Sequence, residues 1–210
     1  MVRSEVERSY GGVTAAQRRA ERRTRLLTAG RNLWGGTGVA AVTVRGVCKS
    51  AGLTDRYFYE HFTGIEDLLV AVADEVRDQL LGTLVRTGLS SPGGPEQRLN
   101  AALRAMLDLV DTDPHLHRVA AADLSSAPVL AERRRVLMTA MAAVVVQYAP
   151  EELGIEPDAE WLTQAAIFVT GGVSQLVEAW LDGTLEASTA ELAERTTTLL
   201  LRVLAPVGSE

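Results

Sequence analysis

A single cysteine, a single lysine and three histidines among 210 residues exclude several kinds of chemistry at the outset. Cys48 can close no intrachain disulfide and supplies no thiol cluster for a metal. Its place on the apolar side of a short helical stretch suits a small core residue. His115 and His117 stand two apart, so on a helix they point about 200° from each other and do not readily share a metal. Nowhere does the chain show a nucleophile beside a base, and Gly35, Gly36 and Gly38 lack the strand-to-helix setting of a phosphate-cradling loop. Neither catalysis, a metal nor a cofactor is therefore expected. Long apolar runs are missing too: Val136 to Ala149 falls short of the roughly 20 residues a membrane-spanning helix needs and follows three arginines. Met1 to Gly12 is charged and has no apolar core of the kind a signal peptide carries. A soluble, cytoplasmic protein with no membrane partner is the expectation.

What is present is charge, unevenly divided. Residues 1–63 hold eleven basic and five acidic side chains, residues 64–210 ten and twenty-two. The weakly acidic whole hides a basic N-terminal third, which is what binding a polyanion with one end requires. All the basic residues except Lys49 are arginine, which we read as codon choice rather than special phosphate chemistry.

Periodicity of 3.6 runs throughout and convincing β-alternation is absent, so an all-α fold of about nine helices is predicted. Residues 1–13 read as a flexible arm. Thr14 and Gln17 form a capping box for a helix to about Gly35, with Leu26, Leu27, Gly30, Leu33 and Trp34 inward and Arg18, Arg19, Arg22, Arg23 and Arg25 outward. Thr63 and Glu66 make a second box, opening a long helix through Leu68, Leu69, Val72, Val76 and Leu80 that the SSPGGP segment at 90–95 stops. Later helices are signalled by Asp113-Pro114, Ser126-Ala127-Pro128, Pro157 and a third box, Ser188 and Glu191. Pro150, Gly183 and Pro206 are predicted stops. The expected division is residues 14–62 and 63–210.

The densest chemistry lies between Thr43 and Phe62, TVRGVCKSAGLTDRYFYEHF. Thr43 caps a short helix with Val44, Val47, Cys48 and Ala51 on its buried side, and Gly52 turns the chain. Thr54 is expected to cap a second helix, in which Phe58 and Phe62 share one face and leave Asp55, Arg56, Tyr57, Tyr59, Glu60 and His61 mostly outside. Two helices about a glycine turn, the second exposing arginine and tyrosine, have the shape of a nucleic-acid reader. A guanidinium on Arg45 or Arg56 can fork onto guanine O6 and N7 in the major groove, worth ~1–3 kcal/mol of discrimination.

This stretch resembles the TetR family of bacterial transcriptional regulators. The likeness is strongest over residues 26–72, on Leu33-Trp34, Gly38, Thr43-Val44-Arg45, Val47-Cys48, Ala51-Gly52-Leu53-Thr54, Tyr59-Glu60-His61-Phe62 and Glu66-Asp67-Leu68-Leu69. The resemblance implies a three-helix helix-turn-helix domain joined to a helical domain that binds a small effector and dimerises through its last two helices. It places base readers at Arg45, Asp55, Arg56 and Tyr57 and phosphate contacts at Thr43, Thr54, Tyr59 and His61. The chain departs from the family at Ile65, where many members carry a phosphate-binding lysine. It departs again at Gly46, where an acidic residue commonly completes the cap; a mid-helix glycine costs up to ~1 kcal/mol relative to alanine.

Beyond residue 73 the likeness rests on helicity, length and Trp180-Leu181-Asp182-Gly183, which looks like the family's dimerisation helix. The expected interface is Val169, Val173, Leu176 and Trp180 with Leu199 and Val203. Close approach of a partner helix is the preferred reading of Gly171-Gly172, a kink the alternative. Met106, His117, Met138, Met141, Trp161 and Phe168 are candidates for an apolar effector cavity, because methionine adapts to varied ligands, or for plain core. The reading is a homodimeric, ligand-responsive repressor of a palindromic double-stranded DNA operator. Its rivals are a protein-interaction module using the Leu192 to Val203 face and, further off, an all-α enzyme.

Overall fold

The computed structural model describes residues 14–120, 128–154, 156 and 158–204. Among these there are nine α-helices, one 3-10 turn and no strand. The arm expected over residues 1–13, the start signal at Ser126-Ala127, and Pro157 and Pro206 lie outside the described residues. The fold divides into two compact units, with the boundary between Val72 and Ala73.

In the first unit, α1 (Ala15–Thr37) opens on the predicted capping box: Thr14 Oγ1 accepts from the Gln17 amide at 3.1 Å while Gln17 Oε1 accepts from the Thr14 amide at 2.7 Å. The helix continues through Gly35 and Gly36, beyond the expected stop. It ends at Gly38, which has φ 89° and returns its amide to the Trp34 carbonyl at 2.9 Å. A 3-10 turn (Val39–Ala41) leads to α2 (Val44–Ala51), α3 (Asp55–Tyr59) and the start of α4 (Ile65–Ser90). Leu26, Trp34, Val47, Phe58, Phe62, Leu68 and Val72 are buried. Gly30 lets α1 approach α4 closely, since a Cβ there would stand 2.7 Å from Leu68 Cδ2. With Leu68, Leu69 and Val72 buried, the first two turns of α4 lie within this unit, so its boundary falls ten residues beyond the sequence-based division after Phe62.

The second capping box forms differently from its prediction. The Thr63 amide and hydroxyl both donate to Asp67 Oδ2, at 3.0 and 3.3 Å, because α4 begins at Ile65 and brings Asp67 rather than Glu66 round to Thr63.

The second unit holds the rest of α4 with α5 (Pro95–Thr112), α6 (Pro114–Ala120), α7 (Pro128–Leu153), α8 (Ala159–Leu181) and α9 (Thr189–Leu204). Within it α5 packs along α9, and α8 against both α7 and α9. Asp113 turns α5 into α6, its Oδ1 accepting from the His115 amide at 3.1 Å. The box at Ser188 and Glu191 forms as predicted, the Ser188 amide donating to Glu191 Oε2 at 2.9 Å and Ser188 Oγ accepting from the Glu191 amide at 3.3 Å. Pro150 does not stop α7, which runs on to Leu153. A proline withholds one donor, here from the Val146 carbonyl, and less than a turn remains to be strained before Gly154, at φ 62°, ends the helix. Asp158 caps α8, its Oδ1 accepting from the Glu160 and Trp161 amides at 3.0 and 2.9 Å.

Candidate nucleic-acid interface and ligand cavity

The reader is built from two short helices that the local sequence ends sharply. Thr43 is extended, and its Oγ1 accepts from the Gly46 amide at 3.1 Å. Val47, Cys48 and Ala51 face inward, leaving Arg45, Lys49 and Ser50 exposed. Gly52 adopts the left-handed conformation, φ 62° and ψ 40°, which lets the Leu53 amide return to the Cys48 carbonyl at 2.9 Å.

Thr54 then starts α3 with its backbone only: its carbonyl accepts from the Tyr57 amide at 2.9 Å, and its side chain makes no capping bond. The expected side-chain cap is thus absent, and the exposed hydroxyl remains free for an outside partner. Phe58 is fully buried and anchors α3, its ring meeting Tyr59 edge-on at 5.4 Å and Phe62 at 5.6 Å. This leaves Arg56 with an 87% exposed side chain in a loose 3.6 Å pair with Glu60, and Tyr59 61% exposed.

Two of the predicted contact residues turn partly inward, whereas Asp55 stays exposed and acts on the Cys48 thiol. Burial first, and then Asp55, push that thiol up to about 11, so it is an uncharged core group. Tyr57 is half-buried beneath the Arg22 guanidinium, 4.7 Å from its ring centre. His61 is half-buried with Nε2 enclosed and unpartnered, so that nitrogen is not presented to a phosphate outside. Burial lowers its pKa, and Arg19 and Arg22 lower it further, which favours the neutral ring.

The arginines of α1 lie on its outer face as expected, Arg19, Arg23 and Arg25 exposed and Arg22 half-buried, and each also holds a neighbour. Arg19 Nη2 donates to the Glu60 carbonyl at 3.0 Å, Arg22 covers Tyr57 and lies 3.7 Å from the Glu60 carboxylate, Arg23 covers the Phe62 ring at 5.0 Å, and Arg25 Nη2 donates to the Ala51 and Gly52 carbonyls. Of these only Arg22 turns partly inward: it stands four residues before the buried Leu26 and shares that residue's stripe.

The family model described as bacterial regulatory proteins of the tetR family matches residues 26–72, the core of this reader. Over those residues the chain carries the tetR-family pattern.

The chain is accordingly a transcriptional regulator with a helix-turn-helix DNA-binding domain, not an enzyme. It is 28% identical over 153 residues to the HTH-type transcriptional activator FasR of Mycolicibacterium smegmatis, covering 71% of this chain and 69% of that protein. Its fold is shared with the fatty acid degradation regulator FadR of Bacillus halodurans, at TM-score 0.72 and 17% identity over 86% of this chain and 94% of that one. The same fold recurs in FadR of Bacillus subtilis in complex with stearoyl-CoA, at TM-score 0.68 and 17% identity, with 84% and 96% covered. No described helix is long and apolar enough to cross a membrane.

In the second unit, four of the six residues expected around an effector come together. Met106, His117, Met138 and Met141 line a cavity of about 50 Å³ with Val173 and Val177. Burial lowers the pKa of His117; Glu178 raises it and Arg134 lowers it to a smaller degree. Trp161 and Phe168 are elsewhere. Trp161 packs on a separate cluster of Ala149, Ala165, Val169 and Leu204, and Phe168 is 68% exposed.

The expected dimer residues fall mostly on the inner side of their helices. Val169 is buried in that cluster, Val203 packs against it and Val173 lines the methionine cavity. Leu176 and Trp180 are half-buried, the Trp180 indole donating to the Ala187 carbonyl at 2.8 Å. Only Leu199, 51% exposed, faces outward as predicted. The outer stripe of α8 is instead Ile167, Phe168, Gly171, Gly172 and Gln175, spaced by fours. The signal missed was that Phe168 and Gly172 share a helix face distinct from that of Val169 and Val173.

Proposed function

We propose that the protein is a homodimeric, ligand-responsive repressor that binds a palindromic operator through Arg45, Arg56, Thr43, Thr54 and Tyr59. The observation that carries this is the pair Arg45 and Arg56, both exposed, in a unit where Arg19, Arg22, Arg23 and Arg25 are held by neighbouring carbonyls and rings. Their guanidinium groups are free to fork onto base edges, and the exposed hydroxyls of Thr43, Thr54 and Tyr59 suit phosphate. Tyr57 and His61 then act chiefly by holding α3 in place.

In this reading Ile167, Phe168 and Leu199 pair with their counterparts in a second copy, and Gly171 and Gly172 admit the partner helix closely. A Cβ on either glycine meets nothing within 4 Å in the single chain, so there is room for one. The dimer sets its two α3 helices about 34–36 Å apart, one turn of DNA. An apolar effector enlarging the methionine cavity moves α4 and with it that spacing. The Bacillus subtilis neighbour, solved with stearoyl-CoA, makes acyl compounds the first class to screen.

The test is a polarisation assay on DNA upstream of the protein's own gene, with Arg56→Ala beside the wild type. The substitution is expected to cost ~1–3 kcal/mol, roughly tenfold or more in affinity. Unchanged binding removes Arg56 from the readout, and no binding to any palindromic fragment removes the whole reading. A second reading, activation, is favoured by the Mycolicibacterium smegmatis relative being an activator. A reporter gene whose output falls on deletion of the regulator would select it.

A further inference from the structure

We propose that Glu60 is a positioning residue for sequence readout: its carboxylate, held from α1, sets the guanidinium of Arg56 for one base pair and withholds it from phosphate. This rests on Arg56 being a base reader and goes beyond it, since Glu60 itself touches no base in that reading.

Glu60 is fixed through both its backbone and its side chain. It stands at the C-cap of α3, where its carbonyl accepts from Arg19 Nη2 at 3.0 Å. Its carboxylate lies between two arginines, Oε2 3.7 Å from Arg22 Nη2 and Oε1 3.6 Å from Arg56 Nε. The two differ in surroundings. Arg22 is half-buried with its guanidinium over the Tyr57 ring, whereas Arg56 is exposed. The series Tyr57, Arg22, Glu60, Arg56 therefore runs from packed groups out to a single exposed cation.

Arg56 meets the carboxylate at Nε. A guanidinium met there keeps its outer edge, Nη1 with Nη2, for the fork onto guanine O6 and N7. An arginine with no neighbour to hold it samples many rotamers and gives up that freedom on binding. A carboxylate one turn further along the helix limits the sampling before DNA arrives, which favours the complex that uses the limited set.

The same charge acts against the wrong complex. Where no guanine faces α3, an unrestrained Arg56 would turn to the nearest phosphate, the source of sequence-independent affinity. Glu60 competes with the phosphate for that cation, and its own charge is repelled by the DNA backbone, so non-specific binding is weakened more than specific binding. An exposed ion pair four residues apart contributes little to folding, so this role is separable from stability.

Sequencing what the full chain retains from a pool of randomised duplexes tests this. Arg56→Ala is expected to flatten the preference at the base pair it reads. Glu60→Gln keeps the shape of the side chain and removes its charge; it is expected to weaken the preference at that same pair about fivefold or more, with the other pairs and the melting temperature nearly unchanged. Should it fail to fold, Glu60→Ala lacks the same carboxylate and is expected to give the same result. In the Arg56→Ala background Glu60→Gln should alter no preference. On a duplex that the wild type does not select, Glu60→Gln should bind more tightly, with a salt slope steeper by about one unit, the mark of one further phosphate contact. If Arg56→Ala selects the same sequences as the wild type, Arg56 is no reader and the inference falls with it. If Arg56→Ala flattens a pair that Glu60→Gln leaves sharp, if Glu60→Gln weakens binding to every sequence alike, or if its effect persists without Arg56, the role of Glu60 alone is overturned.

Discussion

The two units use arginine in opposite ways. In the C-terminal unit arginines meet carboxylates: Arg77 with Asp74 and Asp78, Arg133 with Asp74, Arg135 with Glu132, Arg98 with Glu152. In the N-terminal unit they meet mostly uncharged partners, the carbonyls of Glu60, Ala51 and Gly52 and the rings of Tyr57 and Phe62. A carbonyl or an aromatic face fixes a guanidinium in place without cancelling its charge. Arginines that tie α1 to α2 and α3 therefore still contribute to the positive field a phosphate backbone requires, whereas those of the acidic unit are neutralised where they stand.

The largest way to break this contrast is to remove the anchor around which the N-terminal unit is built. Phe58→Ala, at a site with no solvent exposure, is expected to cost ~3–5 kcal/mol and to abolish DNA binding through loss of the fold. Denaturant titration should show the N-terminal transition shifted and the C-terminal one retained. Next in size is Phe168→Glu, expected to place charges of one sign opposite each other across the proposed two-fold and yield monomers by analytical ultracentrifugation, with little change in the melting temperature of the single chain. Unaltered dimers would move the interface away from α8. A smaller effect is expected of Arg22→Ala, which removes the cover from Tyr57: about 1 kcal/mol of stability, and weaker DNA binding with a shallower salt dependence.

The mildest effect concerns pH. Burial favours the neutral form of His117, so the unfolded chain takes up a proton near pH 6.5 that the folded chain refuses. Stability of the C-terminal unit should therefore fall as the pH drops through and below that value. His117→Gln should flatten the dependence between pH 7 and 5, measured by thermal melts.

Much of the fold was legible because local signals and global packing agree. Thr14 with Gln17, Ser188 with Glu191 and Gly52 each do what their residue types dictate. Two of the misreadings share one cause, that periodicity shows which residues share a face but not what covers it. Arg22 shares the stripe of Leu26, yet its charge set it outside, and the aromatic face that covers it, Tyr57 on α3, lies far along the chain. On α8, Val169 and Val173 form one apolar stripe and Ile167, Phe168 and Gly171 another. A helix apolar on two sides gives no sign of which faces its own core.

Cys48 has a use of its own. Being the one thiol of the chain, 2% exposed and protonated at any physiological pH, it reacts with a labelling reagent only when the N-terminal unit opens. Its modification rate is thus a clock for those openings in the unaltered protein, and slowing of that clock by operator DNA, or its quickening by an effector, reports how tightly the reader is held together at that moment.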